Sequence, residues 1–155
     1  MTNPLKYRMA IALLALVAAL VALYLHLWKL GLTGPLTCTS GRGCEVAMMS
    51  SWGSFLGVDV ALIGAVGYTL ILLAALWGLS PARVMLAGPT LLLLALIIPA
   101  VLFTIRLKYG EWVVLRTFCP WCFVSTVIIV LCLGLALLDF RRVRAPVAPA
   151  RPAIG

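Results

Sequence analysis

The chain has 155 residues, 65% of them hydrophobic and only 10% charged, with a formal net charge of +8. Soluble domains carry about 45–50% apolar and about 25% charged residues, and a globule of this size still exposes roughly a third of its unfolded surface. The composition excludes a water-soluble globule, a disulfide-rich miniprotein, a nucleic-acid binder and a disordered chain. The positive charge is expected to serve membrane orientation instead of polyanion binding.

A bilayer core about 30 Å thick takes roughly 20 helical residues to cross. Four windows free of Lys, Arg, Asp and Glu reach that length: 9–28, 60–82, 84–105 and 117–138. The first follows Lys6 and Arg8, as a secretory leader would. Its apolar run is longer than a leader's and no small-residue cleavage site follows, so it is expected to stay as an anchor. Backbone groups in lipid must bond internally, and the continuous Leu, Ala, Val and Ile lack the alternation of a membrane barrel. The fold class expected is an all-α membrane protein, a bundle of four transmembrane helices.

Residues 29–59 separate the first two spans. Within them, 46–56 is too short to cross and too apolar to float free, which predicts a helix lying at the interface and capping a pocket among the spans. Ser80-Pro81 turns the second span tightly into the third. Trp28 and Trp112 are expected to anchor at the interface. After the fourth span, 141–155 reads as a basic then Pro/Ala-rich tail without order. Residues 1–140 thus form one membrane domain.

Four crossings put both termini on one side, with Lys6, Arg8, Arg83, Arg141, Arg142, Arg144 and Arg151. The other side holds Lys29, Arg42, Arg106, Lys108 and Arg116. The excess of basic residues favours cytoplasmic termini and an extracytoplasmic face for the longer loops, with the inverted arrangement as the alternative.

By the same parity, four of the five cysteines share one face. Cys38 and Cys44 lie in the long loop around Thr-Ser-Gly-Arg-Gly; Cys119 and Cys122 open the fourth span as Cys-Pro-Trp-Cys. At a helix start, unpaired N–H groups favour a thiolate on the first cysteine, and Arg116 is expected to add to that effect. The thiolate is the nucleophile of disulfide exchange. A zinc site would need four ligands at other spacings and a histidine nearby, so no metal is expected. Cys132, deeper in the span, reads as a small buried hydrophobe. A flexible pair facing a helix-anchored pair suits a relay from a soluble partner to the membrane.

These residues, with Ser50-Ser51-Trp52-Gly53 close behind Cys44 and Gly64 and Gly67-Tyr68 in the next span, resemble the vitamin K epoxide reductase family, notably its short bacterial and archaeal homologues. The resemblance implies a bundle around a quinone pocket and a prokaryotic cell membrane. It makes Cys119 and Cys122 the active-site pair, with Cys122 facing the quinone. It also implies a transient Cys44–Cys119 disulfide, and Cys38 meeting a separate thioredoxin-like protein. Ser50, Ser51, Trp52, Asp59 and Thr126 are its candidate quinone contacts; Thr126 stands where many members carry a tyrosine. The function implied is a membrane thiol oxidoreductase that passes electrons from the partner to quinone. Reduction of vitamin K epoxide itself is one alternative. Another is an oxidase like disulfide bond formation protein B, whose cysteine pairs come in the opposite order. A third is a membrane subunit with purely structural disulfides.

Overall fold

A computed structural model describes residues 4–35, Cys38 and 41–144. Helix α1 (Pro4–Lys29) is followed by a short α2 (Gly43–Met49), a single 3-10 turn at Ser51–Gly53 and a two-stranded hairpin, β1 (Ser54–Phe55) with β2 (Val58–Asp59). Then come α3 (Val60–Gly78), α4 (Ala87–Tyr109), a π-helical turn (Gly110–Val114) and α5 (Pro120–Arg144). Four segments are long and apolar enough to cross a membrane: Leu5–Lys29, Val60–Gly78, Ala87–Val114 and Pro120–Arg144. The protein is an all-α, integral membrane four-helix bundle.

The bundle closes through small residues. Ile11, Ala15, Ala18, Ala22 and Leu25 recur every three or four residues along α1, and all are buried. Against α3 this alanine seam brings the backbones close, so that a methyl group on Gly64 would sit 3.6 Å from Ala22 Cβ. Lipid tails are as apolar as leucine, so close packing of small residues drives such association. Helix α1 packs on α3 and α5, and α4 on α5 and α3. Leu13, Leu16, Val17 and Leu20 face outward, where lipid would cover them.

The helices depart from the predicted windows where charges find partners. Helix α1 begins before Met9 because Arg8 is buried: its guanidinium meets Asp139 Oδ2 at 2.9 Å, Thr90 Oγ1 at 3.0 Å and the Gly78 carbonyl at 2.6 Å. Arg8 also donates to the carbonyls of Arg83 and Leu86 at 3.2 and 3.3 Å. Those two carbonyls belong to the α3–α4 turn, so α4 starts at Ala87 and not at Val84. At its other end α4 runs on past Arg106, whose guanidinium lies over the rings of Trp52 and Phe55, 5.0 Å from each centroid. Helix α5 starts three residues later than predicted, after Arg116 turns the chain with φ +49°. It continues to Arg144, with Arg142 over Tyr7 and Arg144 over Phe140. Residues 141–144, read from sequence as the start of a disordered tail, are therefore helical; the remainder of that tail lies outside the described residues.

The segment predicted as one interfacial helix over 46–56 is three pieces instead. Helix α2 ends at Met49, where the Ser50 hydroxyl donates to the Ala47 carbonyl at 2.9 Å. The hairpin follows through Leu56 (φ +52°) and Gly57 (φ +81°). Positive φ at both loop positions is the type I′ pattern of a two-residue hairpin, and glycine meets it without strain at one.

Candidate active site: a thiol pair on an apolar cavity

A cavity of about 460 Å³ lies between the four long helices, roofed by Ala47, Met48, Trp52 and Gly53. Its wall is almost wholly apolar, from Val21 on α1 through Ile63 and Gly67 on α3 to Leu96 and Phe103 on α4. Cys122 opens onto it from α5. Volume and lining are those of a small-molecule pocket, which at about 300–1,000 Å³ combines apolar walls with a few placed polar groups.

Cys119 sits at the N-cap of α5, where its sulfur accepts the Cys122 backbone N–H at 3.3 Å. That bond satisfies one of the donors a helix start leaves unpaired. Both thiols are free, Cys119 wholly buried and Cys122 half-buried. Hydrogen bonding from the Cys122 thiol draws the Cys119 thiol below its ordinary value. Burial opposes this, the Cys122 N–H reinforces it, and the nearby Glu111 and Lys108 charges pull in opposite directions. The Lys108 charge favours the Cys119 thiolate; Arg116, expected to add to the effect of the helix start, is exposed.

Glu111 was not singled out from the sequence, yet it is 96% buried and joins this site directly. Its Oε1 accepts the Cys119 backbone N–H at 2.6 Å, and its Oε2 the Lys108 ammonium at 2.7 Å. The π turn makes this possible: Leu115 N–H bonds the Gly110 carbonyl at 2.9 Å and Thr117 N–H the Glu111 carbonyl at 3.1 Å, folding 115–118 back beneath Glu111. No linear spacing signals such a return.

In the loop, Cys38 and Cys44 form a disulfide with their Cα atoms 6.2 Å apart. Cys44 is buried at the start of α2, and Cys38 is half-buried. Gly43, beside Cys44, lies so close to the Phe118 carbonyl and the Thr117 hydroxyl that a Cβ there would overlap them. The two cysteine-bearing segments therefore abut one residue before each of Cys44 and Cys119. Cys132 is buried in the core between the helices.

The remaining candidates divide. Trp52, Asp59 and Thr126 line the cavity. The Thr126 hydroxyl is turned to the Cys122 carbonyl of its own helix at 2.8 Å. Asp59, at the mouth, accepts from Lys29 at 2.9 Å and pairs with His26 Nδ1 at 2.7 Å. Ser50 and Ser51 are not among the lining residues; Ser50 bonds Ala47 and Ser51 is exposed. Tyr68 went unassigned from the sequence. It brings a phenol to the wall from α3, 2.8 Å from Ser125 Oγ and donating to the Ser125 carbonyl at 3.0 Å.

Four apolar spans, a loop disulfide and a free thiol pair beside an apolar cavity define a membrane protein with two cysteine pairs at one end of its bundle. The model of the vitamin K epoxide reductase family matches residues 9–137, most of the chain, and the protein belongs to that family.

Proposed function

We propose that the protein oxidises the thiols of a separate thioredoxin-like partner and delivers the electrons to a membrane quinone. The observation that carries the reading is Cys122: one sulfur of the helix-anchored pair opens onto an apolar cavity while its partner Cys119 lies toward the loop. In the proposed order, a partner dithiol reduces Cys38–Cys44 and leaves as a disulfide. The Cys44 thiolate then attacks Cys119 of an oxidised Cys119–Cys122 pair, expelling the Cys122 thiolate. Cys38 resolves the Cys44–Cys119 bond, which restores Cys38–Cys44 and leaves two thiols on α5. These lose two electrons and two protons to the quinone as Cys119–Cys122 re-forms. The interactions that draw the Cys119 thiol below its ordinary value also make it a better leaving group.

The chain's own residues give this reading its parts. The α5 start holds Cys119 for attack, and Trp52 and Met48 roof the cavity against water. Trp52, Asp59, Thr126 and Tyr68 are the proposed quinone-side contacts. Single Cys→Ala variants test the scheme: Cys38→Ala is expected to accumulate a Cys44–Cys119 adduct, and Cys119→Ala or Cys122→Ala to abolish quinone reduction. Full activity in Cys122→Ala would sink the proposal. For orientation, we propose that the cysteine face is extracytoplasmic; a membrane-impermeant alkylating reagent on intact cells should label Cys38 and Cys44 after reduction.

A further inference from the structure

The wall of the cavity is mostly apolar, yet charge has been built into it, and the charge is costly. Glu111 is 4% exposed and the Lys108 side chain 14%. Buried ion pairs contribute little net stability, and well-packed apolar replacements are often neutral or better. Both residues line the cavity that holds Cys122. Lys108 also borders a second groove of about 390 Å³ on the outer α4–α5 seam, sharing Thr104 and Thr126 with the inner cavity.

The hydroxyls on the wall are already engaged. The Thr104 hydroxyl donates to the Ala100 carbonyl at 2.8 Å and the Thr126 hydroxyl to that of Cys122. Tyr68 and Ser125 are bonded to one another. An ammonium carries three donors and no acceptor, and Glu111 Oε2 takes one of those of Lys108. The same carboxylate grips the Cys119 amide through its other oxygen. One side chain thus fixes a cavity cation relative to the redox pair.

We infer that Lys108, held by Glu111, is the carbonyl-oxygen recognition element of the cavity: its ammonium donates to an oxygen of the bound quinone, and the Glu111 bridge sets that oxygen in register with the thiol pair. Glu111 is a positioning residue in this arrangement. The inference rests on the quinone reading above and adds the group that selects a quinone over a hydrocarbon of the same shape. As two electrons arrive at the ring, negative charge grows on its oxygens, and a fixed cation in a water-poor site stabilises that charge.

The test compares duroquinone with durene, the matched hydrocarbon without oxygens, on the fully oxidised full-length protein. Duroquinone binding is read from quenching of tryptophan fluorescence, Trp52 and Trp121 both lining the cavity, and durene binding from competition. Lys108→Met combined with Glu111→Gln removes both charges at once and leaves no unpaired ion. In that variant duroquinone should bind roughly tenfold or more weaker, the loss of one charge-assisted hydrogen bond, with durene unchanged. Lys108→Gln alone is the second variant, expected to weaken duroquinone in the same direction with durene again unchanged. Unchanged duroquinone affinity, or an equal loss for both ligands, would overturn the inference. Failure of duroquinone to bind the unaltered protein would overturn the quinone reading instead.

Discussion

At the end of the bundle that carries the termini, Arg8 and Asp139 are fully buried, and the guanidinium is bonded to three backbone carbonyls, one carboxylate and one hydroxyl. At the cysteine end, Lys108 and Glu111 are largely buried but lie on a cavity wall, and their carboxylate accepts the Cys119 N–H. The first pair ties α1, the α3–α4 turn, α4 and α5 into one knot. The second spans only three residues of one helix end and leaves open space beside it. The difference teaches that burial of charge has two uses in this fold. Planar, many-donor arginine holds elements together; point-like lysine, backed by a carboxylate, is left facing a ligand-sized void.

The largest expected effect lies at the sealed end. Asp139→Ala strands the Arg8 charge and should cost about 3–5 kcal/mol of stability, measured by thermal unfolding in detergent. Arg8→Met with Asp139→Leu should recover most of it. A loss below about 1 kcal/mol for the single variant would break the comparison, because the knot would then be ornamental.

A middle effect is expected at Gly43. An alanine there must push the Phe118 carbonyl away, an overpacking strain of about 1–3 kcal/mol placed between the two cysteine-bearing segments. Gly134→Ala on α5 is the control, since its Cβ would meet nothing. The Gly43 variant should slow exchange between Cys44 and Cys119 in rapid-quench alkylation, while Gly134→Ala leaves the rate unchanged.

The smallest effect concerns Asp59 on β2, faced by His26 and Lys29 from α1. Burial pushes its carboxyl up, but hydrogen bonds from His26 and Lys29, the Lys29 charge and the Ala61 N–H outweigh that and hold it below its ordinary 3.8. A depressed carboxyl contributes stability that is fully present above the unfolded value. That contribution is lost as pH falls through the lower folded one. Asp59→Asn should therefore remove at most about 1 kcal/mol near neutrality, and the gap to the unaltered protein should close in acid below pH about 4.

Much of this architecture was legible in the sequence because lipid imposes long, charge-free windows, and parity alone placed four cysteines on one face. The window edges failed where a charge was satisfied inside the protein. Arg8 reads as a flanking charge until Asp139, 131 residues away, is brought to it. Lys108 reads the same way until Glu111, one turn on, pairs with it and the π turn returns Cys119 to that carboxylate. Ser50 and Ser51 looked available as hydroxyls, but Ser50 bonds the backbone within its own turn, as serines at helix ends do. Tyr68 belongs to the motif that carries the resemblance, but only the packing of α3 on the rest of the bundle brings its phenol to Ser125.

The close approach of Gly43 to Phe118 has a kinetic consequence. Both segments belong to one chain and already touch, so in the proposed relay the passage from loop to membrane pair is unimolecular, with a high effective concentration. Encounter with the soluble partner is then the only second-order step on the protein side. At high partner concentration the turnover rate should reach a plateau set within the protein.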